Sequence, residues 1–293
     1  MRRMPARRFA FAVLCAAALA AAGAIPAAAQ TYRDRGAYLV NALAACGNCH
    51  TPRDPLGNPL AGMELAGGHE FDIEAGHIVG TNITPDQETG IGTWTVGQIV
   101  NSLRNGARPD GTIIGPPMPI SFYRDLSDRD AEAIALYLKS VKPVRHKVAR
   151  SQYRVPLPPG YGPPVRHVAE PNRGDKMAYG AYLAGPVAHC MECHTPRQGP
   201  HLDIGRLGVG GRTFTDFGNA GAQTISRNIT PDREAGLGKW SDADIKAAIL
   251  LGKRPDGSDL SRTMPFAAYR AMTYQDVNAI VDYLRSLPPL KGP

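Results

Sequence analysis

The sequence predicts an all-α protein in which one helical unit is written twice. Blocks of sequence recur at an offset of 144 and then 146 residues. Each copy holds about three segments whose apolar residues follow helical spacing. No stretch alternates apolar and polar residues well enough to read as a strand.

The chain opens on residues 1–29, which read as an export signal. Arg2, Arg3, Arg7 and Arg8 make a basic start, residues 9–24 an apolar run, and residues 27–29 a small-residue cleavage site. The run is shorter than the ~20 residues of a spanning helix, so cleavage is expected rather than an uncleaved anchor. Cys15 lies in this run and reads as inert. The formal net charge of +7 falls to +3 once the four signal arginines are gone, which removes the case for nucleic-acid binding.

Residues 30–145 form the first unit. Its opening helix carries Tyr38, Leu39, Ala42 and Leu43. A second helix ends at Gly106, a residue placed to stop it. The third opens on Ser127-x-x-Asp130, carries Ile134, Tyr137, Leu138 and Val141 on one stripe, and stops before Pro143.

Residues 173–293 repeat the plan. Tyr182 and Leu183 match Tyr38 and Leu39. Ser241-x-x-Asp244 caps the second helix, Gly252 ends it, and Thr273-x-x-Asp276 opens the third. Between the units, residues 146–172 hold six prolines and two glycines and should form an extended, fairly stiff surface segment. Charge divides unevenly: 10 basic and 13 acidic residues in 30–145, 4 and 1 in 146–172, and 15 and 12 in 173–293.

Chemistry enters at Cys46-Gly47-Asn48-Cys49-His50 and Cys190-Met191-Glu192-Cys193-His194. A Cys-x-x-Cys-His stretch presents two thiols for thioether bonds to haem and a histidine for its iron. Two such stretches, in repeated surroundings, predict two covalently attached haem c groups. Disulfides and zinc are weaker readings, because all four mature cysteines sit in these pairs, 144 residues apart. A thioredoxin-like pair would need a βαβ context that the flanking sequence lacks. His50 and His194 are the expected axial ligands, each donating from its other ring nitrogen to an acceptor that the sequence does not identify.

Six methionines remain in the mature chain as candidates for the opposite axial position. Met63, Met177, Met191 and Met272 have no counterpart in the other unit. Met118 and Met264 do, each followed by proline, 68 and 70 residues after its histidine. They are therefore the expected sulfur ligands; a methionine is otherwise core filler. His69, His77, His146, His167, His189 and His201 do not repeat and read as surface or loop residues.

Trp94 and Trp240 are offered to a haem edge or propionate, or serve as core anchors. Arg53 and Arg197 directly follow the motifs and offer charge to a propionate, with exposed loop positions as the competing reading. Asn82 and Asn228 open the repeated Asn-Ile-Thr-Pro-Asp and either donate to a propionate or shape a turn.

With the haem motif, Asn-Ile-Thr-Pro-Asp, tryptophan, Arg-Pro-Asp-Gly and Met-Pro in place, each unit resembles a class I cytochrome c domain. More narrowly, the chain is similar to cytochrome c subunits of bacterial alcohol and gluconate dehydrogenase complexes. The resemblance covers nearly all of residues 31–290. It implies two tandem all-α domains, each wrapped around one haem, with first and third helices crossing. It also implies electron transfer from a dehydrogenase donor to a quinone, oxidase or other respiratory acceptor, in the periplasm. Such subunits typically carry three haem motifs and a C-terminal membrane-binding segment. This chain has two motifs, and its last stretch, Leu287-Pro288-Pro289-Leu290-Lys291-Gly292-Pro293, does not read as such a segment, so membrane association is expected only through partners or an uncleaved N-terminus. The competing reading is a two-haem peroxidase-like enzyme with one labile axial ligand; a methionine in both units argues against it.

Overall fold

The computed structural model describes residues 27–199, 201–215 and 222–292; the expected export signal lies almost wholly outside them. The first half runs through α1 (Ala27–Tyr38), a wider π-turn over Leu39–Leu43, and α2 (Gly47–His50). A hairpin of β1 (Glu70–Ile73) and β2 (Gly76–Val79) follows, then α3 (Val96–Asn105), the short α4 (Ile120–Tyr123) and α5 (Asp128–Leu138). Strand β3 (Gln152–Tyr153) belongs to the joining segment. The second half repeats the order. It has α6 (Lys176–Tyr182), a π-turn over Leu183–Val187, α7 (Cys190–His194), and strands β4 (Arg197–Gln198), β5 (His201–Leu202), β6 (Thr213–Thr215) and β7 (Gln223–Ile225). It ends on α8 (Asp242–Leu251), α9 (Phe266–Tyr269) and α10 (Tyr274–Ser286).

Helices dominate, as the periodicity predicts. The strands were not expected. They are two to four residues long, too short to show an alternating pattern. β1 pairs antiparallel with β2 from Glu70–Val79 to Ile73–Gly76, and β3 adds to the free edge of β2.

Helix ends form where the sequence places them. Ser241 and Asp244 make a reciprocal capping box at α8, and Thr95 with Gln98 makes the matching one at α3. Ser127 and Thr273 accept from the backbone N–H of Asp130 and Asp276, starting α5 and α10. Gly106 and Gly252 end α3 and α8 in the left-handed conformation, with φ of 65° and 68°.

In each half the first long helix crosses the last, α1 on α5 and α6 on α10. Glycine makes the crossing close. A Cβ at Gly36 would stand 2.0 Å from the Ala133 carbonyl oxygen, and one at Gly180 would stand 2.1 Å from that of Ala279. This accounts for the repeated Gly-Ala-Tyr-Leu.

The repeat offset narrows to 143 within the hairpin region. Gly67 donates to the His50 carbonyl and Gly210 to that of His194, each at 2.7 Å. The second half is thus one residue shorter before this point. It is three residues longer before the Asn-Ile-Thr block.

The halves meet by an exchange of equivalent contacts, the pattern of a two-fold interface. α4 packs on the π-turn 183–187 and α9 on the π-turn 39–43. Tyr38 donates to Asp276 (2.6 Å) and Tyr182 to Asp130 (2.8 Å). One apolar cluster, including Leu39, Leu43, Ile134, Leu183, Val187 and Ile280, runs through both halves. Among the described residues, no helix is long and apolar enough to cross a membrane.

Candidate haem sites

Both Cys-x-x-Cys-His stretches start from the same strained turn. Ala45 (φ 49°) and His189 (φ 43°) occupy the left-handed region just before Cys46 and Cys190. The chain then winds into α2, with Cys46 as its N-cap residue, and α7, which bring the cysteines and histidines together within one or two turns of helix. All four cysteines are free thiols. Burial pushes Cys46, Cys190 and Cys193 up to about 12, and Cys49 to about 11. Thiols so protonated are the opposite of a reactive redox pair, whose thiols have lowered pKa values. The zinc reading loses its ligands too. Among the described residues, no three His, Cys, Asp or Glu side chains converge to hold a metal ion.

The histidines are oriented by backbone carbonyls. His50 Nδ1 lies 2.7 Å from the Thr81 carbonyl oxygen, and His194 Nδ1 lies 2.7 Å from that of Arg227. The ring must donate there, which places the proton on Nδ1 and leaves Nε2 as the lone-pair nitrogen an iron needs. Burial lowers both pKa values, with the carbonyl contact opposing, so the neutral ligand form is favoured. The acceptors immediately precede the two Asn-Ile-Thr blocks, so the repeated loop supports the histidine.

In the second half a methionine shares a pocket with the cysteine–histidine set. Cys190, His194 and Met264 line this apolar pocket, with Ile229, Tyr269 and Met272 among its walls. The first half brings Cys46, Ile83, Met118 and Tyr123 into the same apolar cluster. Pro119 and Pro265, at φ −81° each, start the short helices α4 and α9 directly after the methionines. Apolar walls, unpaired thiols, a singly committed imidazole and a thioether are the donor set for a covalently held haem with His/Met ligation. The residues present fit that group.

The remaining candidates divide. Trp94 and Trp240 are half-buried and pack against the core, and the backbone N–H of each donates to the carbonyl three residues back. Arg53 folds back on its own motif, donating to Gly57 O (2.7 Å) and Asn48 Oδ1 (2.9 Å). Its buried Nε has no hydrogen-bond partner among the described residues. Arg197 pairs with Glu192 at 2.7 Å. Asn82 and Asn228 are buried and hold the chain after the last helix, donating to Val144 O (2.8 Å) and Leu290 O (2.7 Å).

Some features of the site carry no flag in the sequence. Carbonyl acceptors at Thr81 and Arg227 leave no side-chain signature. Tyr123 and Tyr269 do repeat, at the offset of 146, and that signal was there to find. Both are buried. Tyr269 donates to Ala188 O (3.2 Å), and the Tyr123 ring meets His189 edge-on with centroids 5.8 Å apart. His189 Nε2 in turn lies 3.3 Å from Ala44 O. So His189, expected at the surface, is wedged where the two haem-motif turns meet.

No protein-family model matches the chain. A fructose dehydrogenase cytochrome subunit of Gluconobacter japonicus is 33% identical over 90% of this chain and 54% of its own length. An alcohol dehydrogenase (quinone) cytochrome c subunit of Komagataeibacter europaeus is 31% identical over 96% of this chain and 60% of its own. A diheme cytochrome c-type protein of Cereibacter sphaeroides is 29% identical over 84% and 83%. All three relatives are named as cytochromes or cytochrome subunits. The chain spans between half and two thirds of the first two relatives and most of the third. This kinship supports electron transfer and covalent haem c.

Proposed function

We propose that this chain is a periplasmic two-haem c-type cytochrome that carries electrons from a dehydrogenase to a quinone, an oxidase or another respiratory acceptor. Haem supplies the reversible one-electron change; the chain binds and orients it. Cys46 and Cys49 hold one haem, with His50 and Met118 as axial ligands. Cys190 and Cys193 hold the other, with His194 and Met264. Residues 30–145 and 173–293 are the two domains, residues 146–172 join them, and residues 1–29 are the export signal.

The observation that carries this reading is the repetition of one Cys/Cys/His/Met set in equivalent surroundings, with its two copies back to back. Each half's methionine helix packs on the turn leading to the other half's cysteines. Two methionine-ligated sites leave no open position for chemistry at iron, which favours transfer over catalysis. The charge difference between the halves suits a donor and an acceptor that dock on different domains. Since the relatives serve fructose, alcohol and gluconate dehydrogenases, the donor is a dehydrogenase.

The test is the haem content of the exported, mature chain by alkaline pyridine spectra, alongside its ferric far-red methionine–iron band. The expectation is two haems per chain and a band of two-haem intensity. One haem per chain, or a high-spin resting spectrum, sinks the proposal. Co-purification with a dehydrogenase from membranes would identify the donor.

A further inference from the structure

The segment joining the halves is more than a tether. After Ser151 Oγ, which accepts from Val79 N (3.0 Å), Gln152 and Tyr153 extend the first half's hairpin as a third strand. The chain then crosses the loop that carries Met118. Tyr161 donates to Ile114 O at 2.7 Å. Its ring lies over Gly106, where a Cβ would stand 2.7 Å from two ring carbons. Tyr153 and Leu157 close over Gly115, where a Cβ would stand 2.5 and 2.6 Å from them. Beyond the loop the segment is fixed again. Arg124 donates to Pro163 O (2.6 Å), Asn105 Oδ1 accepts from Val165 N (2.8 Å), and Val168 N donates to Asp128 (3.0 Å).

We infer that residues 151–168 form a strap that holds the Met118 loop closed over the first haem, with Tyr153, Leu157 and Tyr161 as positioning residues for the methionine ligand. This rests on Met118 being that ligand. Three physical points support it. The strap is anchored on both sides of the loop, so it resists outward movement. Its prolines at 156, 158, 159, 163 and 164 make it stiff, so little entropy is lost in holding it there. Its contacts on the methionine loop fall within residues 106–115, directly before Pro116-Pro117-Met118. Opening the loop to release sulfur would break the Tyr161 bond and expose two buried ring faces.

The second half solves the same packing problem differently. Gly252, the counterpart of Gly106, is covered by Phe266 of its own α9, whose ring carbons stand 2.8 Å from a would-be Cβ. Met264 is therefore not under this strap's control. One joining segment sets the ligand stability of the first haem alone. It also ends at Asp128 and Arg129, beside the inter-domain contact at Ser127 and Asp130.

The test is an imidazole titration of the ferric, haem-loaded full chain, following the far-red methionine–iron band. Tyr161→Phe removes one hydrogen bond. Half of the band amplitude should then be lost at about fivefold lower imidazole, the worth of one net hydrogen bond, while the other half titrates as in the parent. Gly115→Ala, which pushes Tyr153 and Leu157 outward, should shift the same half. Unchanged midpoints in both variants overturn the strap, as does an equal shift of the whole band. Met118→Ala separates the two layers: it should remove half of the band. Retention of the full band would refute the ligand assignment and the strap with it.

Discussion

Asp130 and Asp276 stand at the same place in the two halves, at the start of the last helix, yet they are held differently. Asp130 takes a two-pronged pair from Arg35 of its own half, both bonds at 2.8 Å, plus the Tyr182 hydroxyl from the other half. Asp276 takes two hydroxyls, Tyr38 across the interface at 2.6 Å and Tyr179 from its own half at 2.9 Å. Tyr179 occupies the position of Arg35. The cross-interface tyrosine is kept in both halves and the local partner is exchanged.

The same division runs through the molecule. What repeats is what a haem would need: two thiols, a histidine on a backbone carbonyl, the buried asparagine and the methionine before proline. What differs lies around it. His69 reaches the motif carbonyl of Asn48 at 2.9 Å, whereas Arg212 reaches that of Glu192. Thr81 and Arg227 differ freely because only their carbonyls act.

The largest expected effect tests that contrast. Asp130→Ala leaves the Arg35 guanidinium without its carboxylate at a site where the pair is 12% and 2% exposed. Removing one partner of a buried pair costs about 3–5 kcal/mol. Asp276→Ala leaves two hydroxyls unpartnered, worth about 1–3 kcal/mol. Denaturant unfolding of the haem-loaded chain should rank Asp130→Ala clearly below Asp276→Ala. Equal losses would mean that the charge on Arg35 is not the difference between the halves.

A smaller effect is set by pH. Burial first, and Asp276 beside them, push Tyr38 and Tyr179 up to about 12. Unfolded tyrosine ionises near ~10, so above that pH the unfolded chain binds fewer protons than the folded one. The contribution is complete below about pH 10 and falls as pH rises towards 12, by up to ~1.4 kcal/mol per unit for a buried tyrosine. Arg35 at the matching position has no such transition. Tyr179→Phe should therefore flatten part of the alkaline decline in the denaturation midpoint. A decline as steep as the parent's would place the sensitive groups elsewhere.

Legibility followed the same line between what repeats and what does not. The helix caps were readable because each has a side-chain signature and a second copy, as the Cys-x-x-Cys-His and Met-Pro repeats also do. The hairpins were not, because two to four residues of ladder leave no pattern. The acceptors for His50 and His194 were not, because any residue supplies a carbonyl. His189 reads as a surface or loop residue from the sequence; its half-buried place against Tyr123 and Ala44 exists only once the halves dock. The tyrosine–aspartate contacts were hidden for the same reason. Tyr38 and Asp276 lie 238 residues apart, and neither residue type alone signals a partner.

The smallest expected effect lies where the halves agree. Thr95 and Ser241 each close a capping box, accepting from the N–H three residues on at 3.2 and 3.1 Å. Gln98 and Asp244 return the bond to the cap residue at 2.8 and 2.9 Å. Thr95→Ala and Ser241→Ala each remove one such cap, about 1 kcal/mol. Asp244 also places a negative charge at a helix start, an interaction that solvent screens at an exposed site. The two variants should therefore lower the denaturation midpoint by nearly the same amount. Their loss should be several times smaller than that of Asp130→Ala. If one cap proved far more costly than its twin, helices α3 and α8 would differ in a way that their equal geometry hides. The equivalence of the two sites would then need to be re-drawn, starting from those helices.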